Sequence, residues 1–163
     1  MDYLWTPWRY RYVADPDKEE GCVFCRVLAA NDDAATKIVH RGKLNFLILN
    51  LYPYTTGHSM VVPYKHVPDL AACDAETLAE MMQLAQRLQV ALAHVYHPEG
   101  FNLGMNMGRC AGAGVAGHVH MHVLPRWAGD TNFMTVVGET RLHPEDLDQT
   151  YAKLRAEFSS QAA

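Results

Sequence analysis

The sequence predicts an α+β domain with a mostly antiparallel sheet. Three observations carry this: several short strand-like apolar runs, one long stretch of helical periodicity between them, and a second such stretch near the end. Taken in order, Lys37–Arg41 and Asn45–Asn50 (NFLILN) read as strands broken by Gly42. A Pro/Gly turn, LYPYTTG, leads into His58–Pro63 (HSMVVP), another strand. Asp74 is placed to N-cap a helix running to about Tyr96. Leu78, Met81, Met82, Ala85, Leu88, Leu92 and Val95 recur there at helical spacing, and Pro98 and Gly100 follow its end. Phe101–Met107 and His118–Arg126 read as strands around a Gly/Ala-rich loop, GRCAGAGVAG, with a further short strand expected at Phe133–Val137. Pro144 opens a last helix striped by Leu147, Tyr151, Leu154 and Phe158.

A chain of 163 residues, about half of them apolar, suits one compact domain with its own core. Residues 22–163 are expected to form it. Residues 1–21 read as an aromatic strap (Trp5, Trp8, Tyr10) followed by a charged linker, ADPDKEEG. The formal charge of −4 gives no reason to expect nucleic acid or an acidic membrane as a partner. No apolar run approaches the ~20 residues that span a bilayer. The aromatic, basic start lacks the apolar core of a secretory signal, so a cytoplasmic protein is expected. In that reducing setting Cys22-Val-Phe-Cys25 suggests metal or redox chemistry before a disulfide, while Cys73 and Cys110 read as isolated thiols.

The chemistry concentrates in His118, His120 and His122, which alternate along HVHMHVLPRW. On an extended strand they would project from one face, with Val119, Met121 and Val123 turned to the core. Histidine can serve as nucleophile, acid, base or ligand near neutral pH. Two uses compete: a metal cluster, or a phosphate-handling site with a nucleophilic histidine. Hydrolytic metal centres usually enlist carboxylates, yet no Asp or Glu occurs from Gly100 to Gly129, where Arg109 and Arg126 do. Glycines 104, 108, 112, 114 and 117 let backbone N–H groups approach an anion closely. That composition favours an anionic substrate.

His118-Val-His120-Met-His122-Val-Leu resembles the motif of the histidine-triad (HIT) superfamily of nucleotide hydrolases and transferases. The resemblance extends to Asn45–His66 and to GFNLGMNMG (Gly100–Gly108), in the family's order and spacing. LWTPWRY and HVLPRWAGDTNFM look like the branch that includes bacterial diadenosine-polyphosphate phosphorylases. The resemblance implies a HIT-like fold and a homodimer. It implies that His120 is a nucleophile forming a covalent nucleotidyl-histidine, that His122 contacts phosphoryl oxygens, and that His58 lies close by. Asn106 then meets the α-phosphate, and Asn50 stands where relatives often carry a ribose-gripping Asp. Many relatives carry Gln and then Ser or Thr where this chain has Gly114 and Val115. Backbone N–H groups of the AGAG stretch could replace those contacts and leave room for inorganic phosphate as acceptor. The implied activity is nucleotidyl transfer from a dinucleoside polyphosphate, such as diadenosine tetraphosphate, to phosphate. Hydrolysis of dinucleotides, adenylyl phosphoramidates or adenylyl sulfate is the alternative.

The same resemblance matches His66 and His118 to the positions that complete a Cys₂His₂ structural zinc site with Cys22 and Cys25. Trp127, after Pro125-Arg126, is a candidate for stacking on a base, set against ordinary packing.

Overall fold

The structure, a computed structural model, describes residues 21–130 and 145–160. The aromatic strap, most of the charged linker and the strand expected at Phe133–Val137 lie outside them. A short helix α1 (Val23–Ala29) and one turn of helix α2 (Asp33–Thr36) precede strands β1 (Ile38–Arg41), β2 (Asn45–Leu49) and β3 (Ser59–Pro63). The long helix α3 (Ala75–Tyr96), strands β4 (Gly100–Gly104) and β5 (Met121–Arg126), and helix α4 (Leu147–Ser160) follow. The strands form one sheet in the order β1-β2-β3-β5-β4, and every pairing is antiparallel. The predicted α+β class is what the chain adopts.

Strands β2 and β3 are buried on both faces, and the alternation of side chains assigns each face of the sheet a partner. Leu47, Leu49, Val61, Met121 and Val123 pack with Met81, Leu84, Ala85, Leu88 and Leu92 of α3 and with Leu154 and Phe158 of α4. Phe46, Ile48, Met60 and Val62 pack on the opposite face with Ile38 and with Phe24 of α1. Asp74 caps α3 by accepting the Thr77 N–H at 2.8 Å. Glu80, one turn further, ties α3 to the β1–β2 turn by accepting N–H groups of Lys43 and Leu44 and the Asn45 amide.

Two expected strands are shorter than the sequence suggested. β4 stops at Gly104, and β5 begins only at Met121. The reason lies in where the backbone bonds go: the Val119 N–H donates to the Val67 carbonyl at 2.7 Å, away from the ladder. His118 and His120 therefore sit on the approach to β5, and His122 sits within it. The three imidazoles do not form an even row.

Candidate active site and metal centre

Backbone carbonyls assign two of the triad rings a protonation pattern, because a carbonyl can only accept. His118 donates Nε2–H to the Pro63 carbonyl at 2.9 Å, which leaves Nδ1 with its lone pair. That Nδ1 lies 3.3 Å from Cys22 Sγ and 3.8 Å from Cys25 Sγ. Cys25 Sγ is also 3.4 Å from His66 Nδ1. All four donor atoms fall within 4.8 Å of one another. Metal–ligand lengths for a tetrahedral zinc imply S···N edges of about 3.6 Å, so these separations fit such an ion. The donor chemistry agrees. Burial, and then the adjacent Cys22 sulfur, push the Cys25 thiol up, a cost that a cation between the sulfurs would remove. The Pro63 carbonyl behind His118 is the kind of support that metal-bound histidines use.

Two residues on, the pattern reverses. His120 donates Nδ1–H to the His118 carbonyl at 2.9 Å, so its Nε2 carries the lone pair. Burial holds His120 below the ordinary histidine range, against the opposing pull of that hydrogen bond, and so keeps the ring neutral. His122 is fixed from further back. The Tyr54 N–H donates to His58 Nδ1 at 3.1 Å, so a neutral His58 must carry its proton on Nε2. That N–H points at His122 Nδ1, 2.9 Å away, and leaves His122 with an Nε2–H to offer. Burial and the neighbouring imidazoles push His58 to about 3 and His122 to about 4. Both are neutral at physiological pH.

Local sequence explains this placement. Gly57 turns with φ +81, and a Cβ there would lie 2.8 Å from Leu92 Cδ2, so the turn that delivers His58 needs glycine. His58 is 1% exposed, and its ring meets Tyr54 at 4.9 Å and His122 at 5.1 Å. The His120 and His122 rings are themselves 4.9 Å apart.

The imidazoles of His120 and His122 line a cleft of about 360 Å³. Asn50, Asn106 and Gly114 line it too, as do Ile48, Leu49, Leu51, Tyr52 and Tyr54. His58 stands behind His122. Trp127 follows the end of β5, where its N–H donates to Asp130, and it is not among the residues that line the cleft. Asn50 accepts the Tyr52 N–H at 2.9 Å, which fixes its amide. Its Nδ2 is 3.4 Å from His58 Nε2, and with both nitrogens bearing protons this is a contact and not a bond.

Sequence reasoning missed Val23 and Phe24, which reach the cleft from between the two cysteines. Phe24 packs against both His118 and His120, at 5.3 and 5.0 Å between ring centroids. Two apolar residues held between paired cysteines were the available signal. The Cys/His cluster and the cleft thus share a wall.

The comparisons agree with this geometry. A family model described as HIT domain matches residues 31–129. The chain is 39% identical to an AP-4-A phosphorylase of Mycobacterium tuberculosis, across 99% of this chain and 86% of that protein. It is similar to a Zn-bound histidine triad family protein from Mycobacterium smegmatis, with 30% identity and a TM-score of 0.71 over 87% of this chain and 96% of that one. A histidine triad nucleotide-binding protein from Sulfolobus tokodaii superposes with a TM-score of 0.70 at 26% identity, covering 85% and 93%. With His120 and His122 lining a cleft and His118 turned to a Cys/His cluster beside it, the chain belongs to the HIT domain family.

Proposed function

We propose that the protein is a nucleotidyltransferase that moves a nucleotidyl group from a dinucleoside polyphosphate to inorganic phosphate, with His120 as the covalent nucleophile. The observation that carries this is the opposed protonation of neighbouring rings. His120 Nε2 offers a lone pair and His122 Nε2 offers a proton, in a cleft with no carboxylate among the described residues that line it. The 39% identity to an AP-4-A phosphorylase supports the choice of substrate and acceptor.

In the first half-reaction His120 Nε2 attacks the α-phosphorus, and the bond to the bridging oxygen breaks. The cation that forms on His120 is held through Nδ1–H by the His118 carbonyl. His122 Nε2–H hydrogen-bonds the phosphoryl oxygens as charge builds there. In the second half-reaction a phosphate oxygen attacks the same phosphorus, the P–N bond breaks, and His120 recovers its lone pair. Diadenosine tetraphosphate would give ATP and then ADP. Asn106 and Gly114 belong on the phosphate side of this cleft and Asn50 beside the ribose. Trp127 remains a candidate for stacking on the base.

Cys22, Cys25, His66 and His118 would hold a structural zinc, supported by the fit of their donor atoms and by the Zn-bound relative. Such an ion would supply a rigid link from α1 to the segment carrying His120. Strand β4 lies at a sheet edge with Leu103 44% exposed, a face suited to the homodimer that the family implies. No helix of the described residues is long and apolar enough to cross a membrane. All four cysteines are free thiols, which accords with a cytoplasmic setting.

Product analysis of diadenosine tetraphosphate with and without phosphate is the test. ADP that appears only when phosphate is supplied supports the transferase. AMP and ATP formed at one rate regardless of phosphate would establish the hydrolase alternative instead.

A further inference from the structure

The cleft has two unlike walls. The end of β2 and the turn after it present Ile48, Leu49, Leu51, Tyr52 and Tyr54, an apolar and aromatic surface suited to a nucleoside. The loop from Asn106 to Val115 also lines the cleft; it is glycine-rich and carries Arg109. Among the described residues that line the cleft, Arg109 is the one arginine or lysine, and none is acidic. Elsewhere on the sheet, Arg41 pairs with Asp33, and Arg126 with Asp130 and Asn102. Arg109 forms no ion pair among the described residues. It opens a single turn, Arg109–Ala111, set between Gly108 at φ +82 and Gly112 at φ +86.

The two possible acceptors make different demands on this wall. Water arrives neutral. Phosphate brings negative charge toward a phosphorus whose oxygens are already negative, and that repulsion needs a cation beside the line of attack. The side-chain amides of Asn50 and Asn106, which share the cleft, are uncharged and supply none. A guanidinium is the side chain that meets phosphate with two parallel hydrogen bonds.

We propose that Arg109 selects the acceptor: its guanidinium receives the incoming inorganic phosphate and makes phosphate outcompete water. This rests on the transferase reading above. With phosphate held there, one of its oxygens bonds to the α-phosphorus as the P–Nε2 bond breaks, and the electron pair returns to His120. Any proton on the phosphate stays with the terminal phosphate of the product. Arg109 does not touch the bond that breaks in the first half-reaction.

Arg109→Gln and Arg109→Lys separate these roles, and an exposed loop residue can be replaced without disturbing the core. The readouts are the KM for inorganic phosphate, the ADP:AMP ratio, and the initial burst of ATP from diadenosine tetraphosphate. Expected for Arg109→Gln is a KM for phosphate raised by roughly tenfold or more, the loss of one charge-assisted pair. The product ratio shifts toward AMP, the ATP burst stays within about threefold, and Arg109→Lys recovers part of the phosphate affinity. An unchanged KM for phosphate overturns the proposal. So does a burst that falls as far as the phosphate affinity, since Arg109 would then serve the donor. A wild-type protein that forms AMP with no phosphate dependence overturns the transferase reading itself, and this inference with it.

Discussion

The Cys/His cluster and the cleft meet on one segment, where His118 and His120 stand two residues apart, yet the two histidines are prepared in opposite ways. His118 gives its Nε2 proton to Pro63 and turns Nδ1 to sulfur, whereas His120 gives its Nδ1 proton to His118 and turns Nε2 to the cleft. The residue type and the spacing are the same. Which ring nitrogen finds a carbonyl decides which nitrogen is left for the proposed role, ligand for His118 and nucleophile for His120. The two regions are also linked, since the carbonyl that orients His120 belongs to the proposed zinc ligand, and Phe24 packs on both rings.

The largest effect should come from removing the lone pair. His120→Ala should lower turnover on the order of 10⁴-fold or more, with nucleotide binding largely kept, as read by steady-state kinetics and calorimetry. Retained turnover would place the nucleophile elsewhere. His122→Ala removes a donor to the phosphoryl oxygens and should cost roughly 10²–10³ in kcat, with a smaller change in KM. Equal losses in binding and turnover would recast His122 as a ground-state contact.

Cys25→Ser should act on the other region. Metal analysis should find less bound zinc, and thermal unfolding should come earlier, because metal affinity is folding free energy. The activity that remains should track the folded fraction. A variant that keeps full stability and full zinc content would remove Cys25 from the ligand set.

Acid should strain the His58–His122 pair. A neutral, buried His58 held at about 3 refuses a proton that the unfolded chain accepts below its ordinary value of 6.5. Stability should therefore be flat above pH 6.5 from this group and fall as pH drops toward 3, by about 1.4 kcal/mol per unit. Urea unfolding at pH 7 and pH 5 measures the slope, which His58→Gln should flatten. An equal slope in that variant would move the acid sensitivity to other groups. Trp127→Ala should give the smallest effect, within a few-fold in KM, given that Trp127 does not line the cleft. A loss nearer the ~1–3 kcal/mol of a base stack would put Trp127 on the second nucleoside.

Much of this was legible in local pattern. The long helix followed from seven apolar residues at helical spacing behind Asp74, and the mostly antiparallel sheet from adjacent strands broken by that one helix. The ends of β4 and β5 were not legible, because they depend on a bond from Val119 to Val67, about fifty residues away in sequence. Equally hidden was the sorting of the triad into two protonation patterns. Pro63, Tyr54 and His58 impose it from other segments, and nothing in HVHMH announces them. Residue types and spacing named the histidines and cysteines. Tertiary contacts assigned Phe24 and the tautomers.

The most direct test is to mix the protein with diadenosine tetraphosphate in the absence of phosphate, measure intact mass, and map the modified peptide. One adenylyl group on His120, discharged as ADP when phosphate is added, is the expected result. An adduct on His118 or His122, or turnover with no adduct, would contradict the division of labour between the two neighbouring rings.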